Sequence, residues 1–269
     1  MKLTDAVLAM KEAGVPSPEH DARAIFSELG GIKHYELREA DCCDPAVLDA
    51  VARRCAREPL QYILGRVGFF REEYLVTPSV LIPRSDTELL VQTAIDLLPE
   101  GSRILDLCTG SGCVAISTVR GVPGSTALAV DLSEEALAVA QKNAALNGVE
   151  DRVKMMKADV LCSLPAGESF HCILSNPPYV KDEVYPTLEK EVMQEPKMAF
   201  LGGADGLEFY RVIVDKHASL LRDGGFIALE IGYDQGEDLC RLAESAHMDA
   251  RILKDLSGND RVAVLVRKK

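Results

Sequence analysis

In the first fifty-odd residues, apolar positions recur three and four apart. Leu3, Val7, Leu8 and Met10 fall on one side of a helix over residues 3–13, which Gly14 is placed to stop. Pro18 to Leu29 repeats the pattern, with Pro18 in the first turn and Gly30-Gly31 behind it. Asp44-Pro45 opens a third helix that carries Val47, Leu48, Val51 and Cys55 toward Arg57. Short helices with one apolar stripe each must face one another, so residues 1–64 are expected to form a small helical bundle. Arg53, Arg54 and Arg57 then read as a solvated helix face.

The pattern changes after Arg57. Pro59 to Gly65 and Val67 to Val76 are rich in β-branched and aromatic residues. The charged turn Arg71-Glu72-Glu73 interrupts them, which predicts a hairpin. Thr77-Pro78 and Ile82-Pro83 mark a backbone-restricted linker, so residues 65–83 join two domains. Ser85 and Glu88 form a capping-box pair that opens an amphipathic helix through Leu98.

From residue 84 to 269, short apolar runs alternate with helical patterns. Strands are predicted at 103–107, 126–131, 153–158, 171–175 and 226–231. Helices are predicted at 112–119, 133–147, 206–222 and 234–246, the second capped by Ser133 and ended by Gly148. This alternation predicts an α/β domain, a parallel sheet with helices on both faces. Runs 250–255 and 261–267 flank Ser257-Gly258-Asn259-Asp260 with no helix between them, which makes an antiparallel pair at a sheet edge.

Composition narrows the function. The 269 residues are 47% apolar and 27% charged, as in globular proteins, with a formal net charge of −12. That charge argues against affinity built on broad phosphate contact, so no direct nucleic-acid partner is expected. With no Trp and few aromatics, a stacking platform for single strands is unexpected too. The eight cysteines form no C-x-x-C pair and read as reduced residues of a cytoplasmic protein, several of them in apolar runs. The five histidines lack metal-ligand spacing, so no metal is expected. No signal peptide or membrane-spanning run is evident, and nothing demands more than a monomer.

Two stretches carry chemistry. In an open α/β sheet, ligands bind beyond the carboxyl ends of the strands. Cys108-Thr109-Gly110-Ser111-Gly112 stands at such an end, where Gly110 and Gly112 let a ligand approach the backbone. Asp131 ends the next strand, nineteen positions past Gly112, placed to accept from the ribose hydroxyls of an adenosine group. Asp159, before Val160, follows a third strand and is suited to an adenine amine, and Asp106 precedes the turn as a loop-orienting or cofactor residue. A Gly-x-Gly turn alone also fits a dinucleotide, but Ala115 occupies the last position of that fingerprint.

The second stretch is Ser175-Asn176-Pro177-Pro178-Tyr179, after the apolar run His171 to Leu174. Two prolines end the strand, since neither has an N–H to give a ladder. The Asn176 side-chain oxygen and the Pro177 carbonyl are two acceptors for a planar –NH2 group, and Tyr179 can cover its face. Fixed acceptors orient a weakly nucleophilic amide nitrogen and stabilise the positive charge it develops on attack.

The glycine turn after one strand, an acid after the next and Asn-Pro-Pro-Tyr after the fourth together resemble a class I S-adenosylmethionine-dependent methyltransferase. The likeness extends to the release-factor glutamine N5-methyltransferases, the HemK/PrmC family. It is carried by Glu58 to Gly65, Ile82-Pro83-Arg84-Ser85-Asp86-Thr87-Glu88, Val130 to Ser133, Gln194-Glu195-Pro196, Leu201 to Leu207, Leu229-Glu230-Ile231-Gly232 and Gly258 to Arg261. It spans nearly the whole chain.

The resemblance implies a Rossmann-like seven-stranded methyltransferase domain over 84–269. It implies an N-terminal domain that helps recognise a class 1 peptide-chain release factor, and as acceptor the glutamine of that factor's Gly-Gly-Gln loop. By the same resemblance S-adenosylmethionine would touch Cys108, Thr109, Gly110, Ser111, Gly112, Asp131, Asp159, Val160 and Asn176. The glutamine amide would sit on Asn176, Pro177, Pro178 and Tyr179, with Asn176, Pro177 and Tyr179 as the catalytic set. Transfer would be direct and in line, with no covalent enzyme intermediate.

Three positions depart from the pattern. Cys108 replaces a usual glycine, Val160 a frequent aromatic residue and Ser85 a frequent proline. The rivals are a nucleic-acid adenine N6-methyltransferase, whose exocyclic amine suits the same corner, and a non-catalytic module that binds the cofactor. Arg84 and Glu88 read as a linker anchor and a cap, and Tyr185 and Phe209 as packing residues.

Overall fold

The structure, a computed structural model, describes residues 1–162, 164 and 169–268. The chain divides into two compact units. One comprises Met1–Val67 with Leu188–Gln194, the other Gly68–Thr187 with Glu195–Lys269.

The first unit is helical. Helices α1 (Leu3–Glu12), α2 (Pro18–Glu28) and α3 (Pro45–Cys55) bury Leu3, Ala6 and Met10, then Ala22, Ile25 and Phe26, then Val47, Ala50 and Val51. These side chains form one apolar cluster. Asp44 caps α3 by accepting the Ala46 N–H at 2.8 Å, with Pro45 in the first turn. The run read as β-prone forms the short helix α4 (Leu60–Leu64), which buries Leu60, Tyr62 and Ile63 and stops at Gly65 in the left-handed region. Burial in the bundle overrides residue preference there.

Arg54 and Arg57 are not part of a solvated face, whereas the Arg53 side chain is 40% exposed. The Arg54 side chain is only 5% exposed and donates to Asp21 at 2.7 Å and to Glu191 at 3.1 Å. Arg57 donates to the same Glu191 at 2.6 Å, and Arg53 pairs with Glu58. Spacing on α3 alone gave no sign of Glu191, which lies 137 positions after Arg54.

A hairpin follows, β1 (Arg66–Phe69) with β2 (Glu72–Leu75), turning at Phe70-Arg71 rather than at Arg71 to Glu73. Ser85 does not cap α5 (Glu88–Leu97). A 3-10 turn over Ser85–Thr87 precedes it, and the Glu88 carboxylate accepts the Phe70 N–H at 2.8 Å instead. Asn143 binds the hairpin's end, accepting the Leu75 N–H at 2.7 Å and donating to the Leu75 carbonyl at 3.0 Å.

The second unit then alternates β3 (Arg103–Leu107), α6 (Cys113–Gly121), β4 (Thr126–Asp131), α7 (Glu134–Leu146), β5 (Val153–Lys157) and β6 (Phe170–Ser175). After β6 come α8 (Glu208–Lys216), β7 (Leu221–Glu230), α9 (Gly236–Ser245), β8 (Met248–Lys254) and β9 (Asp260–Arg267). These strands make a seven-stranded sheet in the order β5-β4-β3-β6-β7-β9-β8. Pairing is parallel through β7, and β9 runs antiparallel to both β7 and β8. That is the Rossmann-like architecture with an antiparallel edge pair.

The parallel strands are buried on both faces, so Ile104, Leu105, Ile173, Leu174, Ile227 and Leu229 form near-continuous apolar runs. Register sets the site. Leu107 pairs with Val130 and with Ser175, Ser175 with Leu229, and Asp131 with Lys157. The ends of β3 to β7 therefore line up along one edge. The chain leaves β3 toward β4 on one side and returns to β6 on the other, so the strand order reverses between β3 and β6. Among the described residues no helix is long and apolar enough to cross a membrane.

Candidate active site

The glycine turn links the end of β3 to α6 and is held from beneath. Thr109 donates its hydroxyl to Asp106 at 2.5 Å and its N–H to the Val130 carbonyl at 3.0 Å. Asn143 donates to the Ser111 carbonyl at 2.9 Å. Gly112 has φ +82°, and a Cβ there would stand 3.0 Å from Ile116 and 3.1 Å from Ala140, so a side chain would push α6 and α7 apart. Cys108 is itself left-handed at φ +58°, which explains why this position favours glycine.

Asp131 ties the turn to the next helix. One oxygen accepts the Gly110 N–H at 2.9 Å, the other the Ser133 N–H at 3.0 Å. Each oxygen keeps a lone pair for a ligand. Asp159 accepts the Leu161 N–H at 2.9 Å. Asp106 is buried, and burial raises its carboxyl to about 7 against the pull of the Thr109 hydroxyl.

The Asn-Pro-Pro-Tyr corner follows β6. Ser175 donates to the Leu107 carbonyl at 2.6 Å, locking β6 to β3 just before the corner. Asn176 donates from Nδ2 to Thr87 Oγ1 at 3.1 Å. Pro177 and Pro178 are buried. The Tyr179 hydroxyl donates to Glu230 at 3.3 Å, and its carbonyl accepts from Gln235 at 3.2 Å. A second segment lies on the corner. Val180 donates to the Phe200 carbonyl at 2.8 Å, and Gly202 donates back to the Val180 carbonyl at 2.9 Å. A Cβ on Gly206 would meet the Tyr179 carbonyl oxygen at 2.4 Å, and one on Gly202 would meet Tyr179 Cα at 2.7 Å. Only glycine allows that approach.

A cavity of about 380 Å³ opens at this edge. Of the residues singled out from sequence, Cys108, Gly110, Asp131, Asp159, Val160 and Asn176 line it, as does Pro178. Thr109 and Ser111 are buried under the turn, and Gly112 packs against Ile116 and Ala140. Tyr179 turns its hydroxyl to Glu230. Sequence reasoning missed several wall residues. Leu132, Ser133, Ala136 and Leu161 flank the two acids, while Pro196, Met198 and Leu201 come from the segment over the corner. Phe209, read as a packing residue, also lines the cavity. The spacing of short 3-10 turns over 185–199 carries no periodic signal that would have pointed to these residues.

Comparison with known proteins agrees along the whole chain. Residues 2–65 match the PrmC N-terminal domain and residues 85–201 the methyltransferase small domain. The release factor glutamine methyltransferase of Caulobacter vibrioides is 38% identical over 268 residues, covering 96% of this chain and 92% of the relative. The chain belongs to the release factor glutamine methyltransferase family. The same-named protein of Moorella thermoacetica is 37% identical over 99% of this chain and 97% of its own. The fold is shared more widely. The ribosomal protein L11 methylase of Lactobacillus delbrueckii subsp. bulgaricus superposes with a TM-score of 0.51 at 22% identity, over 69% of this chain and 81% of that one. The family resemblance carried by the sequence motifs is thus the one that full-length relatives bear, and the enzyme is a methyltransferase.

Proposed function

We propose that this enzyme transfers a methyl group from S-adenosylmethionine to the side-chain amide nitrogen of the glutamine in the Gly-Gly-Gln loop of a class 1 peptide-chain release factor. One observation carries the reading. Asn176, at an Asn-Pro-Pro-Tyr corner, shares a cavity wall with Asp131 and Asp159. The relatives are named for a release factor glutamine rather than for a nucleic acid.

The cavity fits the cofactor. Its volume of about 380 Å³ lies within the range of small-ligand sites. Two carboxylates with spare lone pairs suit ribose hydroxyls and an adenine amine. Leu132, Val160, Leu161 and Phe209 offer apolar faces for a planar base. We assign to Phe209 the aromatic contact that Val160 does not supply. S-adenosylmethionine supplies, when bound, a methyl group already activated on a positively charged sulfur.

The chain's own residues do the rest by placement. Asn176 Oδ1 and the Pro177 carbonyl accept the two amide hydrogens and hold the nitrogen in line. Tyr179 closes over the planar group. The amide proton leaves to water, and no side chain needs to act as a strong base. Residues 1–64 serve to recognise the release factor, 65–83 link, and 84–269 carry out transfer. Such a protein works as a monomer in the cytoplasm, where its substrate is.

The test is transfer of labelled methyl to purified release factor, its Gly-Gly-Gln→Gly-Gly-Ala form and duplex DNA. Label on the first alone is expected, and label on DNA would overturn the acceptor. Asn176→Ala should lower kcat about 100-fold or more while the cofactor Kd changes little. Equal rates would remove Asn176 from the catalytic set.

A further inference from the structure

A buried carboxylate that the mechanism above does not use supports the Asn-Pro-Pro-Tyr corner. Glu230 ends β7 and is 2% exposed. One of its oxygens accepts the Thr87 hydroxyl at 2.5 Å, the other the Tyr179 hydroxyl at 3.3 Å. Thr87, also 2% exposed, lies 3.1 Å from Asn176 Nδ2. An ionised carboxylate can only accept, so the single hydroxyl hydrogen of Thr87 goes to Glu230. Thr87 Oγ1 then meets Asn176 as an acceptor. The Asn176 atom facing it must be the donor Nδ2, and Oδ1 is left to accept from a substrate.

We propose that Glu230, acting through Thr87, is the positioning residue that keeps Asn176 Oδ1 presented to the substrate amide. For its substrate this inference rests on the functional reading above; the hydrogen-bond chain itself does not.

The direction of the chain depends on charge. A protonated Glu230 can donate to Thr87, which frees the Thr87 hydrogen to donate to Asn176 Oδ1. The side-chain amide then turns its –NH2 toward a substrate –NH2, donor against donor. Several groups act on Glu230. Burial raises its carboxyl to about 7, opposed by the Thr87 hydroxyl and by Arg261 of β9, while Asp86 ahead of α5 raises it further and Tyr179 lowers it. Tyr210 of α8 donates to the Glu230 main-chain carbonyl at 3.1 Å, and Cys113 of α6 also lies in its field. Activity should therefore rise with pH as Glu230 ionises.

The hydrogen-bond chain is read first without any acceptor. In protein labelled with 15N-asparagine, the Asn176 side-chain signal is assigned by its loss in Asn176→Asp. It should shift with pH around 7 in the wild type and stay flat in Glu230→Gln and in Thr87→Val. A wild-type signal that ignores pH overturns the proposal.

Kinetics with release factor give the second arm. Thr87→Val should lower kcat about 10- to 100-fold, the scale of one hydrogen bond, with KM for S-adenosylmethionine within about twofold. Thr87→Ser should restore most of the rate, and Glu230→Gln should lose the rise of kcat between about pH 6 and 8. Wild-type kcat in Thr87→Val, or an equal loss in Thr87→Ser, overturns the positioning role. A wild type whose Asn176 signal titrates but which methylates no release factor overturns the functional reading alone.

Discussion

Cys108 sits at φ +58° where a side chain is strained, yet it lines the cavity and its turn is anchored on both sides. A left-handed residue other than glycine costs about 1–2 kcal/mol, part of which glycine returns to a more flexible unfolded chain. Cys108→Gly should therefore raise the melting temperature by about 2–4 °C in a thermal scan and leave cofactor binding intact. At this scale the sequence was informative wherever a residue type has one use. The glycine turn, Asp131, Asp159 and Asn176 all reach one cavity. The support beneath them was not legible. Nothing in the spacing of Thr87, Asn176 and Glu230, which sit at the ends of three different elements, shows that they share hydrogen bonds.

Among the elements, the segment over the corner is the most constrained. Gly206 has φ +75°, and a Cβ would meet the Tyr179 carbonyl oxygen at 2.4 Å. Gly206→Ala combines backbone strain with a steric clash, so a loss on the order of 2 kcal/mol or more in chemical denaturation is expected. kcat should fall with it, because the displaced backbone is that of the corner. The strands were legible because burial on both faces leaves unbroken apolar runs. Where burial and residue preference conflict, reading fails. The β-prone residues 60–64 are helical, and the helix expected to reach residue 222 ends at Lys216, followed by a 3-10 turn and then β7. The bound Glu88 shows the same limit, since its partner is a hairpin N–H and not its own helix.

For the whole molecule, Asp106 and Glu230 are two carboxyls that folding raises to about 7 from ordinary values near 4. The native state holds their protons more tightly than the unfolded chain. Between about pH 4 and 7 the unfolded chain releases them first, so stability falls as pH rises through that window. Asp106→Asn removes one of these groups. Its stability relative to wild type should improve from pH 5 to pH 8 by a difference on the order of 2–4 kcal/mol, measured by denaturant titration at each pH. A flat difference would mean that Asp106 does not titrate in this range.

The helical unit carries a consequence for the order in which the chain is made. Arg54 is buried and is paired both with Asp21 beside it and with Glu191, which lies 137 positions later. A nascent chain emerges from its amino end, so the first three helices leave the ribosome with Arg54 paired to Asp21 alone and with Arg57 lacking the carboxylate of Glu191. Without Glu191 two guanidiniums share the single charge of Asp21, and the ion-pair cluster of this unit is incomplete. The first unit to be synthesised is therefore not the first to be finished; it waits for Leu188–Gln194, by which point four of the seven sheet strands have already been made.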